Sequence, residues 1–130
     1  MNPPSEDFKD MLAAESGISL TFGTDLFIGR EPALPDNCVT IFDTMGSKPD
    51  LTLDQLSLYN PSIQIRVRNL SYVTGWALIQ SLADALHARA QETWNSTLYS
   101  VIYTASGPAM LHWDDNNRVV FIINFNIQRR

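Results

Sequence analysis

Few side chains in this chain are of a type and spacing that could do chemistry. His112, Asp114 and Asp115 bring an imidazole and two carboxylates together, the donor types that divalent metals accept. Alternation along a strand would place His112 and Asp114 on one side. The run Asp114-Asp115-Asn116-Asn117 is equally what a turn between two strands uses, since Asx side chains bond their own backbone and tolerate left-handed φ. The turn is the expected role. Cys38 with His87 or His112 would offer a thiol and a base, but no motif around Cys38 supports activation, so a buried strand cysteine is expected. Asn95-Ser96-Thr97 has the form of a glycosylation acceptor, which matters only on a secreted chain. A helix-to-strand turn is expected there. No catalytic, cofactor or metal residue is assigned, and a small metal-dependent hydrolase built on His112 with Asp114 or Asp115 is the remote alternative.

The rest of the composition agrees. A chain of 130 residues fits one domain, 1–130, large enough to form a core without disulfides. Fourteen acidic and nine basic residues give a net charge of -5, the wrong sign for gaining affinity by displacing counterions from phosphates. The cations are scattered apart from Arg66/Arg68 and Arg129/Arg130, so DNA binding is disfavoured and nonspecific affinity is expected to be weak. The single cysteine suits a reducing cytoplasm. The opening Met1-Asn2-Pro3-Pro4-Ser5-Glu6-Asp7 lacks the basic and apolar regions of a signal peptide. The longest apolar run, residues 119–123, is far short of the roughly 20 residues of a membrane helix, so a soluble protein away from membranes is expected.

Local patterning predicts the elements. Ser5 as N-cap with Glu6 and Asp7 in the first turn and Gly17 as the stop predict a short helix over about residues 6–16. Strands are predicted near 25–29 and 38–42, joined by a connection holding Pro32 and Pro35. Residues 44–61 combine Gly46, Pro49 and Pro61 with Leu51, Leu53, Leu56 and Leu58, which predicts a long loop whose leucines need a cover. Thr52 and Gln55 would suit a capping box if that cover were a short helix folded back on the domain. Residues 63–68 alternate as a strand. Gly75, Ile79, Leu82, Ala83, Leu86 and Ala90 lie three or four apart, which predicts one long helix over 71–90. Strands follow at 98–104 and 109–113, broken by Ser106-Gly107-Pro108, and at 118–128 after the Asp/Asn turn. The fold class is α+β: a largely antiparallel sheet of about five to six strands, one long helix across it and a short N-terminal helix.

Two strand faces are candidates for contact. Gln64, Arg66 and Arg68 form a polar face that is either solvated or opposed to an acidic neighbour. The last strand is apolar on both sides: Phe121, Ile123 and Phe125 take one, Val120 and Ile122 the other. The second side calls for a cover, either another subunit or the 51–58 segment. The candidate contact residues are therefore Leu51, Leu53, Leu56, Leu58, Arg66, Arg68, Val120 and Ile122.

Three stretches carry a family resemblance: Pro35-Asp36-Asn37-Cys38-Val39-Thr40-Ile41-Phe42-Asp43-Thr44 with Gly46, then Tyr59-Asn60-Pro61-Ser62-Ile63-Gln64-Ile65-Arg66-Val67-Arg68 leading through Tyr72, then Asp114-Asp115-Asn116-Asn117-Arg118 with Asn124-Phe125. In this order the chain resembles the bacteriophage minor capsid protein family, whose members look like tail-terminator or tail-completion proteins, over roughly residues 20–128. The family turn usually has glycine where Asn117 stands, a residue that also tolerates positive φ. The resemblance implies a virion protein assembled in the host cytoplasm and no catalysis. It implies a ring, as a hexamer, that caps the tail tube, stops its growth and meets the head connector or a head-completion protein. Another neck component is the alternative.

Overall fold

The computed structural model describes residues 1–51 and 57–130. In chain order the elements are α1 (Pro4–Ala14), β1 (Leu26–Ile28), β2 (Cys38–Leu51), β3 (Ser57–Asn69), α2 (Tyr72–Leu86), β4 (Arg89–Trp94), β5 (Thr97–Trp113) and β6 (Val119–Arg129). The strands form one sheet in the order β1-β2-β3-β6-β5-β4. Every neighbouring pair is antiparallel except β1 with β2, so the sheet is mixed.

Alternation decides what each strand buries. On β3, Ile63, Ile65 and Val67 are fully buried, and their ladder partners on β6, Phe125, Ile123 and Phe121, are too. Both helices pack on this face. From α2 come Ile79, Leu82 and Leu86; from α1 come Phe8, Met11 and Leu12. Gly75 permits the closest approach, since a Cβ there would lie 2.7 Å from the Phe121 ring.

Four expectations need correction. The single long helix is 15 residues against 11 for α1, because the backbone turns at His87 and Ala88 takes φ 64. His87 Nδ1 accepts the Thr104 N–H at 3.0 Å, and the Ala88 N–H bonds the Ile102 carbonyl, which draws the chain into β4. Ala90 fits the helical spacing yet lies on that strand. The turn at Asn95 and Ser96 consequently joins strand to strand, with φ of 48 and 65 suited to a tight hairpin. Ser5 is not the cap of α1: Pro3 holds that position, and Asp43 of β2 accepts the Ser5 N–H at 2.9 Å and its hydroxyl at 2.7 Å. A carboxylate from the sheet thus sits at the positive end of the helix. The proposed break at Ser106-Gly107-Pro108 is instead absorbed as register shifts within one 17-residue strand, β5.

A buried polar knot fastens α1 to the sheet. The Asp7 carboxylate is fully buried and accepts the Tyr99 hydroxyl and, at 2.7 Å, the Asn95 amide. Arg129 Nη1 donates to Tyr99 Oη at 3.2 Å and to the Asn2 carbonyl at 2.8 Å, with Asp7 3.6 Å away. Burial, and then the bond to Asp7, push the Tyr99 phenol well above its ordinary pKa.

Candidate assembly surfaces

Of the residues that could have formed a metal or nucleophile site, Asp114, His87 and Cys38 are committed to the fold, while His112 and Asp115 are exposed. Asp114 Oδ1 accepts the N–H groups of Asn116 and Arg118, each at 2.9 Å, and Oδ2 accepts Arg118 Nε at 2.8 Å. Desolvation opposes ionisation, but the bonds from Arg118 and Asn116 outweigh it and hold the Asp114 pKa below the usual value. Asn117 takes φ 58, the left-handed conformation expected of it. Cys38 is buried, and burial pushes its thiol up, away from the thiolate a nucleophile requires. Among the described residues no group of three His, Cys, Asp or Glu side chains is placed to hold a metal.

Arg68 and Arg118 form the best organised polar cluster, and it faces inward. Arg68 is 3% exposed; it pairs with Glu31 at 2.9 Å and donates to the carbonyls of Pro35 and Asp36. Arg118 Nη1 donates to the Ala33 carbonyl at 2.6 Å and pairs with Asp36 at 3.3 Å. The two guanidiniums clamp the 31–37 connection through its backbone oxygens, with planar forks suited to several acceptors. Val120, the ladder partner of Arg68, is 2% exposed, so both side chains are buried within the subunit.

Arg66 and Ile122 stay partly exposed as ladder partners on the same outer face. Arg66 Nε donates to Gln64 at 2.9 Å, and its guanidinium lies 5.2 Å from the Phe42 ring centre. Next to them runs a chain of amide and hydroxyl bonds, Ser62 to Asn126 at 2.7 Å and Gln64 to Asn124 to Ser106 at 3.2 and 2.9 Å. This face is polar and nearly uncharged.

The expected loop over 44–61 is paired strand in its described part, an arm at the edge of the sheet whose β3 side also pairs with β6 at Ser62 and Tyr59. β2 and β3 stay paired from Thr44 opposite Ser62 to Leu51 opposite Ser57, with register shifts at Ser47. Asn60 Nδ2 bonds the Lys48 carbonyl and Asp50 across it. A side chain at Gly46 would collide with the Asn60 carbonyl and Pro61, so only glycine fits where the strands close up. Proline and glycine read as loop signals; here they sit at irregular pairings on a sheet edge, where both are tolerated. Residues 43–51 are all exposed, Met45 by 96% and Leu51 by 81%. Leu58 is half-buried opposite Asp50. Leu53 and Leu56, with Thr52 and Gln55, lie outside the described residues.

At the opposite end of the sheet is a surface the sequence reading passed over. Tyr72 and Trp76, at the start of α2, flank the Phe121 ring edge-on at 5.0 and 5.8 Å, and Trp113 from the end of β5 stacks on Tyr72 at 6.3 Å. All three stay 40–50% exposed, beside Leu70, Val73 and Met110. A signal was present: α2 carries no charge before Asp84, unusual for a helix face left to water.

A profile of the family described as bacteriophage tail terminator protein matches residues 16–130. The chain belongs to that family. It is a virion-associated structural protein of the phage tail, as the resemblance implied. No curated protein matches this tail-terminator chain. Among solved structures, a chain in the virion of a native gene transfer agent particle shares its fold at a TM-score of 0.69 and 13% identity, covering 96% of this chain and 92% of that one.

Proposed function

We propose that this tail-terminator chain closes into a ring, as a hexamer, on the upper end of the tail tube, stops tube polymerisation and joins the tube to the head connector or a head-completion protein. The family match over residues 16–130 carries this reading. The geometry supports it: Asp114 and Cys38 are engaged in the fold, while Met45 and Leu51 at one end of the sheet and Tyr72, Trp76 and Trp113 at the other are exposed. A subunit without an active site and with two separate contact surfaces is suited to assembly. The net charge of -5 favours free passage of DNA past such a ring, without catalysis and without a membrane. Assembly takes place in the host cytoplasm, where Cys38 stays a buried thiol.

The test is tube polymerisation with purified tube protein. Added subunit should cap tubes at one end and stop elongation. Tubes that elongate unchanged, together with binding of the subunit to the head connector, would point to another neck component.

A further inference from the structure

We propose that the exposed arm of one copy seats on the aromatic surface formed by Tyr72, Trp76 and Trp113 of the next copy, a contact that rests on the ring reading above. The arm presents Met45 and Leu51 almost wholly to water. The seat is apolar, aromatic and free of charge through the first three turns of α2, the composition of the buried centre of an interface.

The occupant follows from the topology. The arm closes at the Leu51 and Ser57 end of β2 and β3, whereas the seat gathers where β3 ends at Asn69, beside the Trp113 and Val119 pair. The 13 residues of β3 separate these ends by about 40 Å at the usual strand rise of about 3.3 Å per residue. An arm therefore cannot reach the seat of its own chain. Every copy carries one arm and one seat. Head-to-tail docking buries both on every copy and continues until the ring closes, whereas seat-to-seat pairing would stop at a dimer and leave every arm bare. The rings of the seat bury large area with little entropy loss, and Tyr72 and Trp113 are already stacked in the free subunit.

Cross-linking between copies tests this, with light scattering run in parallel to report assembly. In a Cys38→Ala background, Met45→Cys is placed on the arm and Val73→Cys, 77% exposed, at the margin of the seat. With a short bismaleimide, a mixture of the two single variants should give cross-linked dimers, and the double variant a ladder reaching the ring. Each single variant alone should give none. Trp113→Lys, with an unchanged unfolding midpoint, should weaken association at least tenfold. Rings in light scattering without cross-links in the mixture would overturn this contact and leave the ring reading standing. Dimers from Val73→Cys alone would overturn it in favour of seat-to-seat pairing. Monomers throughout, including in assembled tails, would overturn the ring reading and the contact with it.

Discussion

Tyr99 shows how much one buried hydroxyl can carry. It donates to a carboxylate that no water reaches and accepts from Arg129, so removing it leaves two charged groups short of a partner. Tyr99→Phe should lower stability by about 1–3 kcal/mol, measured by chemical denaturation. The pH dependence follows from the raised phenol. Its neutral form is favoured in the folded state, so this stabilisation is complete below the ordinary tyrosine value of 10.0 and is lost as pH rises through the higher folded value. In an alkaline absorbance titration, one of the four tyrosines should resist ionisation until the protein unfolds, and Tyr99→Phe should remove that delay. The cluster of Arg68, Arg118, Glu31 and Asp36 was partly hidden for a related reason. Alternation put Arg68 on the outer face correctly; what it could not show is that a distant connection folds over that face and makes it an inside.

At the scale of elements, α2 and α1 are held by different means. Leu82 is fully buried under α2, and Leu82→Ala should cost about 2–5 kcal/mol in denaturation; a loss below about 1 kcal/mol would mean that the helix does not pack through this face. α1 relies on a borrowed cap, so Asp43→Ala should cost about 0.5–2 kcal/mol although Asp43 lies outside the helix. The core strands were legible because β3 and β6 repeat with period two and bury the residues that this period selects, Ile63, Ile65, Phe121 and Phe125 among them. The Asp114 turn was legible because its chemistry is local. The short β4 was not: Arg89-Ala90-Gln91-Glu92-Thr93-Trp94 has no apolar alternation, and the strand exists because β5 offers it a ladder. The arm was not legible likewise, since its pairing is interrupted and its β2 side is exposed throughout. Of the candidate contact residues, Leu51 is exposed, Arg66 and Ile122 are partly exposed, and Arg68 and Val120 are buried in the subunit.

For the whole molecule, the β2 side of the arm is the long exposed edge, with residues 43–51 all open to solvent. Gly46→Val should break the arm while leaving the unfolding midpoint within a few degrees, and should weaken association by at least about tenfold, or about 1.4 kcal/mol, in light scattering. Amides of residues 44–51 should exchange quickly in the free subunit and slowly in assembled tails; equal protection in a verified monomer would contradict a role in assembly. The Asp7, Tyr99 and Arg129 knot has a further consequence, in time. Its members lie far apart in sequence, and Asn2 is bonded to a residue 127 positions later. α1 therefore finds its last anchor only after β6 has been made. Through that interval Phe8 lacks Tyr99 and Phe125, against which it packs, and apolar surface left open on the nascent chain risks misfolding. Docking of α1 then becomes the closing step of folding, and subunits ready for assembly arise only from chains that have completed it.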